Sequence, residues 1–420
     1  MNRIVAFTFL SLFAGWFISC EQEQDPRPDL KPKEIPVSAG TKQLIESDNQ
    51  LGIELFKQVI DGQESDTNTL VSPLSVSLAL AMTYNGAAGE TKSAMEETMH
   101  LEGFTKQQIN ESYRSLMKEL LSVDPKVTME LAQSIWYYQG FSVEEDFLNV
   151  NREYYNAEVQ SLDFAAPDAV DIINQWCSDQ THGKIQEILD RIPEGTVMYL
   201  INALYFNGTW KYEFDPSLTD RQPFYPNGGN EITTDMMHLE GDVRYQNNEL
   251  FKAVELPYGR GNYTMVCLMP HHGLGADELA GKMTDEKWDQ WMQSFEKWGC
   301  YLSLPKFKFE FSDLLNEPLK KMGMSVAFDQ YNADFSGINP LVQLYISRVL
   351  HKTFIEVDEK GTEAAAVTAV EIARLTASGG SAPLTVTFDR PFLFAIREVS
   401  TGTIMFLGKL EHPGNASDHP

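Results

Sequence analysis

The side chains able to attack, ligate or shuttle protons are scattered through this 420-residue chain: four cysteines and eight histidines share no spacing that joins them into a site. No GxSxG elbow, HExxH pair, phosphate-cradling P-loop or dinucleotide fingerprint is present, so the spacings that would set a nucleophile, a zinc ion or a phosphate on the end of an element are missing. Gly259–Gly261 and Gly273–Gly275 lack a third glycine and read as turns. His271-His272, flanked by Pro270 and Gly273, reads as a surface loop rather than a metal site. Cys177, Cys267 and Cys300 are far apart and in apolar surroundings, which describes buried free thiols rather than a disulfide framework. The sequence names no metal and no cofactor, and nothing in it argues for an enzyme.

One stretch has a pattern that demands a use. Val357–Val370 reads VDEKGTEAAAVTAV. From Thr362 to Ile372 the even positions are Thr362, Ala364, Ala366, Thr368, Val370 and Ile372, all uncharged and small or apolar, while Glu363 and Glu371 fall on odd positions. Period-two alternation is what a strand with one buried face requires. Alanines lose little side-chain entropy on burial, and Gly361 at the base supplies backbone freedom. A surface helix from Glu363 to Leu375 would leave this charge parity unexplained and has no apolar stripe to bury. Yet the segment runs on into TASGGSAP, a loop composition. It is strand-ready chain with no obvious place in a sheet.

The elements that must hold such a segment alternate irregularly. Ser72–Met82 opens with a Ser cap and a Pro at the first helical position and is apolar almost all round, which predicts a buried helix. Further helical patterns cover Gln43–Ile60, Glu90–Met99, Lys106–Leu121, Val170–Gln180 and Leu314–Met322. Strand patterns cover Met198–Phe206, Lys252–Leu256, Tyr263–Met269, Tyr301–Phe311, Leu384–Phe388, Phe392–Arg397 and Thr403–Leu410, with a weaker one at Ser134–Tyr138. Met198–Phe206 is apolar throughout and predicts a strand buried on both faces; Pro305 marks an edge or bulge in its run. Helices gather early and strands late, which argues for an α+β fold with large mixed sheets.

Composition places this body outside nucleic-acid and anionic-membrane partners. Lys plus Arg is 33 against 60 Asp plus Glu, a net charge of −27, and such a surface repels both. At the N-terminus an apolar run from Ile4 to Ile18 has the length of a signal-peptide core, and the FISC that ends at Cys20 resembles the lipobox of bacterial lipoproteins. That resemblance implies removal of residues 1–19, acylation of Cys20 and a protein exported and lipid-anchored to the bacterial cell envelope. Residues 20–40 are rich in Pro and charge and read as a semi-extended tether. Residues 41–412 then read as one domain, with 413–420 as a tail.

In order along the chain, TLVSPLSVSLALAMTYNGAAGETKSAM, INQWCSDQTHGKIQEIL, LINALYFNGTWKYEFDP, LSLPKFKFEFSDLLNEPLKKMGMSVAFDQYNADFSGI, VDEKGTEAAA and FDRPFLFAIREVSTGTIMFLGKL resemble segments of the serpins. The likeness runs from about Thr41 to the C-terminus. It implies the serpin fold, with about eight or nine helices, large mixed sheets and an exposed reactive loop spanning about 359–383. It further implies suicide-substrate inhibition of serine endopeptidases, and of cysteine endopeptidases as a second class. The loop is cut as bait and inserts into the main sheet as a new strand, with the protease trapped as its acyl-enzyme.

Site residues carry over by position. The hinge is Glu359, Gly361, Thr362, Glu363, Ala364, Ala365 and Ala366. Ser72, Ser75, Asn202 and His351 match a polar shutter cluster beneath the opening sheet, and Trp210 matches the breach where the loop enters. Counting from Glu359 puts the scissile bond at Leu375–Thr376, suiting chymotrypsin-, subtilisin-, elastase- or cathepsin-like proteases; Arg374–Leu375 is the alternative and would suit trypsin-like enzymes. The expected protein is a monomer that meets the membrane only through its lipid. A non-inhibitory serpin acting as a carrier is the competing reading.

Overall fold

A computed structural model describes residues 31–362 and 383–414. Among them nine α-helices and two sheets, of nine and six strands, make an α+β fold.

The nine-stranded sheet is continuously paired among the described residues. Its order is Thr69–Val71, Ile404–Leu410, Phe392–Glu398, Tyr263–Pro270, Phe251–Pro257, Ile232–Asn247, Glu296–Pro305 and Leu384–Thr387, with Asp220–Phe224 pairing the Ile232–Asn247 strand from the side. Phe392–Glu398, Ile404–Leu410 and Tyr263–Pro270 are buried at every residue, which explains their unbroken apolar runs.

The six-stranded sheet is ordered Phe307–Leu314, Leu350–Val357, Gly361–Thr362, Met198–Thr209, Val127–Tyr138 and Glu158–Leu162. Two-residue Gly361–Thr362 is all that joins its two halves. It pairs antiparallel with Val357 on one side and with Thr209 and Gly208 on the other. Among the described residues no ladder links Leu350–Val357 directly to Met198–Thr209. Among the described residues the sheet is one strand short along most of its length.

Below the sheet lies the Pro73–Tyr84 helix, started by the Ser72 hydroxyl, which accepts from the Ser75 N–H, and by Pro73 at its first position. Across the other face the Ala169–Gln180 helix packs Ile173, Trp176 and Cys177 against Trp136, Tyr199, Ile201 and Ala203. The vacant lane therefore has a floor and, over much of its length, a roof.

Three expectations need correction. The Tyr301–Phe311 run is two strands in two sheets, Glu296–Pro305 and Phe307–Leu314, because Pro305 ends one ladder and Lys306 turns the chain into the other. Met198–Thr209 is not buried on both faces: Met198, Leu200, Asn202 and Leu204 are only half-buried, since they border the lane. The tether does not extend to Gly40. Asn262 bonds the Lys33 N–H and carbonyl at 3.0 and 2.6 Å, Ser400 accepts from the Ile35 N–H at 3.0 Å, and Ile35 is buried. Ser38 then caps the Ala39–Gly62 helix.

Candidate functional site: a vacant strand lane and its entrance

The entrance is built by a tight turn. After Val357 the chain reverses through Asp358–Gly361, closed by the Asp358 N–H donating to the Gly361 carbonyl at 2.9 Å. The Asp358 carboxylate accepts from the Lys360 and Gly361 N–H groups at 2.8 and 3.1 Å, the usual work of Asp at the first turn position. Trp210 closes the turn from the side. Its indole N–H donates to the Asp358 carbonyl at 2.9 Å, its backbone N–H donates to Lys360 at 2.7 Å, and its ring stacks on Tyr258 at 4.4 Å and 12°. Tyr258 in turn shares a 2.6 Å hydrogen bond with the buried Thr362 hydroxyl.

Gly361 has a reason beyond freedom of rotation. A β-carbon there would lie 2.1 Å from the Gly208 carbonyl oxygen and 2.8 Å from Thr209 Cα. The residue is Gly because the turn presses its backbone between two strands.

Glu359 is fixed by partners the sequence did not single out. Its carboxylate pairs with Lys306 at 2.9 Å and accepts from the Thr219 hydroxyl at 2.7 Å, while its carbonyl accepts from the Phe214 N–H at 2.9 Å. Burial pushes this carboxyl up, but the bonds from Lys306 and Thr219 outweigh it and hold the group below the usual carboxylate range. The pair ties the start of the reactive segment to the point where the chain changes sheets. Only the sheet change at Pro305-Lys306 could have hinted at Lys306.

Below the entrance the two flanking strands part around a cleft of about 390 Å³. Ser75 and Val76 form part of its floor, Leu200 and Asn202 one wall, Leu350 and His351 the other. Three of the four predicted shutter residues thus meet at one opening, and the fourth, Ser72, touches His351: its backbone N–H donates to His351 Nε2 at 3.2 Å. A ring nitrogen that accepts from an amide carries no proton, so His351 is neutral and protonated on Nδ1. Burial pushes its pKa down to about 4, opposed in part by the Leu70 carbonyl.

Hydrogen bonds join Ser72 to Ser75 and to His351, but among the described residues Asn202 does not join them. Both side-chain atoms of Asn202 are shielded from solvent and have no hydrogen-bond partner among the described residues. A buried amide without partners costs about 1–3 kcal/mol per missing bond, so the wall of the cleft holds unmet polar demand.

The rest of the predicted site lies elsewhere. Cys20, Glu363, Ala364, Ala365, Ala366, Arg374, Leu375 and Thr376 are outside the described residues. The three body cysteines are free and buried, with burial pushing Cys177 up to about 12 and Cys300 up to about 11. His271 Nε2 lies 2.8 Å from the Asn248 carbonyl in its loop. Among the described residues no group of His, Cys, Asp and Glu could hold a metal ion, and no helix is long and apolar enough to cross a membrane.

With this geometry in view, the family model for serpins, serine protease inhibitors, matches residues 46–413, and the chain belongs to that family. The native-state crystal structure of tengpin, a thermophilic serpin, superposes with a TM-score of 0.81 at 34% identity, covering 91% of this chain and 97% of that one. Leukocyte elastase inhibitor of Homo sapiens is 33% identical over 384 residues, 89% of this chain and all of that protein. Human thyroxine-binding globulin, solved with its hormone, also superposes at a TM-score of 0.81, with 27% identity over 90% of this chain and 100% of that one. The relatives therefore include both a named protease inhibitor and a named thyroxine-binding protein.

Proposed function

We propose that this protein is an irreversible suicide-substrate inhibitor of serine endopeptidases, and of cysteine endopeptidases as a second class, rather than an enzyme. One observation carries the reading: the vacant lane already holds the first two residues of the segment that would fill it, in a register that can be extended. Gly361 and Thr362 lie opposite Thr209 and Gly208, and Thr362 lies opposite Val357. Continued antiparallel, that register sets Ala364 between Phe206 and Ile355, Ala366 between Leu204 and Thr353, and Thr368 between Asn202 and His351. Each even residue would face the core, where only small or apolar groups fit. Thr368 would bring a hydroxyl to the unpartnered Asn202 amide.

The odd positions fit as well. Ala365, Val367 and Ala369 would fall beneath the Ala169–Gln180 helix and the segment after it, which pack on that face. The two charges would fall at the ends of this roof. Glu363 would neighbour Glu356, which already pairs with Lys184 and Lys308 at 3.4 Å each, and Glu371 would neighbour Arg348. The segment is patterned for both of its faces.

The scissile bond in this reading is Leu375–Thr376, with Arg374–Leu375 as the alternative, and the targets are chymotrypsin-, subtilisin-, elastase- or cathepsin-like proteases, trypsin-like ones second. The protein acts as a monomer, exported and anchored to the cell envelope by a lipid on Cys20. Mixing the purified protein with each protease and resolving the products on an SDS gel tests the reading. A stable band at the summed mass, with a released fragment beginning at Thr376, supports it. Cleavage without any such band would instead support a carrier.

A further inference from the structure

Three side chains on adjacent strands of the nine-stranded sheet form a relay that no sequence motif announces. His238, on Ile232–Asn247, sits directly across the ladder from Ser303, on Glu296–Pro305, and its Nδ1 is 2.9 Å from the Ser303 hydroxyl. Its Nε2 is 2.9 Å from Oδ1 of Asp220, on the neighbouring Asp220–Phe224 strand. The Gln222 amide donates to the other Asp220 oxygen at 3.3 Å. The partners dictate the tautomer. An ionised carboxylate only accepts, so the ring proton is on Nε2 and Nδ1 offers its lone pair. The Ser303 hydroxyl must then donate to Nδ1. That is the order of an activated alcohol: a nucleophile, a base beside it, and a carboxylate that orients the base.

The surroundings support use rather than burial. The His238 and Asp220 side chains are 26% and 59% exposed, and Ser303 is half-buried. The bond to His238 is the leading cause that holds Asp220 below the usual carboxylate range, which keeps it an acceptor. All three residues stand on strands whose registers fix their separation, giving the relay a rigid base.

We propose that Ser303 is a stoichiometric nucleophile toward activated acyl or phosphonyl donors, with His238 as its base and Asp220 as the residue that positions His238. The site opens to water, so charge on the attacked oxygen is met by solvent and not by fixed donors. That restricts the donors to those whose leaving group departs unprotonated. With a fluorophosphonate, the Ser303 Oγ–P bond forms as the P–F bond breaks. Fluoride carries away the bonding pair, and the hydroxyl proton passes to His238 Nδ1 and on to water. No turnover follows, because the adduct blocks the only hydroxyl in the relay.

An alkyl fluorophosphonate is the probe, applied to the intact protein and located by peptide mass spectrometry, with the other serines as internal standards. Labelling should concentrate on Ser303 and vanish in Ser303→Ala. His238→Gln should slow it by about a hundredfold or more, the usual contribution of a general base. Asp220→Asn should slow it less, and Asp220→Glu should restore most of the rate, which a purely structural role would not do. Thermal melting confirms that each variant folds. Wild-type protein whose Ser303 labels no faster than its other serines overturns the proposal, and so does a folded His238→Gln variant that labels at the wild-type rate.

Discussion

The two sheets of this serpin solve opposite problems. In the nine-stranded sheet Tyr263–Pro270, Phe392–Glu398 and Ile404–Leu410 are paired on both sides and buried at every residue, so their backbone groups find partners within the sheet. In the six-stranded sheet the Leu350–Val357 and Met198–Thr209 strands each face a lane that, among the described residues, only Gly361 and Thr362 enter. The first sheet is finished in that its ladders run without a gap, whereas the second has, among the described residues, strand edges left unpaired beside Asn202; buried side-chain atoms without a partner occur in both. In the proposed mechanism the lane of the second sheet stores free energy that the segment after Thr362 would release by inserting. The entrance is braced by Trp210, Tyr258 and the Glu359–Lys306 pair, so storage and restraint sit side by side.

The strongest way to break this contrast is to make the lane impossible to fill. Ala366→Glu would place a carboxylate between Leu204 and Thr353 on the core face. An uncompensated buried charge costs on the order of 3 kcal/mol or more, so covalent trapping should fall at least about a hundredfold while loop cleavage continues. Gel quantification of complex against cleaved product reads the ratio.

A control in the finished sheet should behave differently. Phe392→Ala removes a fully buried ring and should cost about 3–5 kcal/mol. In the proposed mechanism insertion leaves that sheet unchanged, so intact and loop-cleaved protein should lose the same amount. Calorimetry of both forms should therefore show two lowered melting temperatures with their spacing preserved.

Loosening the entrance comes next in size. Glu359→Gln leaves Lys306 without its ion pair. Lys306 is 30% exposed, so solvent screening limits the loss to about 1 kcal/mol. The intact protein should melt a few degrees lower and form loop-linked polymers sooner on warming, with size-exclusion chromatography as the readout.

Acid sensitivity comes last because it has almost no effect at neutral pH and develops only as the pH falls. His351 is pushed down to about 4 from an ordinary 6.5, so the native state favours the neutral ring. That contribution is present above about pH 6.5 and is lost as pH falls toward and through 4. Asp48, buried against Tyr113 at 2.7 Å, is raised by burial to about 7 and works the other way, stabilising the fold as it gains its proton below that pH. The pH series must therefore compare wild type with His351→Gln. The acid-side fall in melting temperature should be shallower in the variant, and parallel curves would remove His351 from the account.

Much of this was legible before the fold was known, because it rests on local chemistry. The Ser72-Pro73 start of the buried helix, the apolar runs of the finished sheet and the parity of Thr362–Ile372 are all written in neighbouring residues. What stayed hidden depends on where distant strands meet. Nothing near Lys306 says that it will pair with Glu359, nor does the apolar run at Met198–Phe206 say that one of its faces borders an empty lane. Gly361 could be read as a flexible point, but the 2.1 Å approach of Gly208 that forbids a side chain exists only in the assembled sheet. The Asp220, His238 and Ser303 relay is invisible for the same reason, since three strands supply it. Docking of Lys33 and Ile35 was masked by a composition that usually marks free chain.

The central claim is that the second sheet is unfinished and that the chain itself carries the missing strand. Thermal unfolding of the intact protein, set against protein nicked once between residues 363 and 382 by trace subtilisin, tests it most directly. The claim predicts that the nicked protein, with its loop inserted, melts well above the intact one. Equal melting temperatures after complete nicking would contradict it.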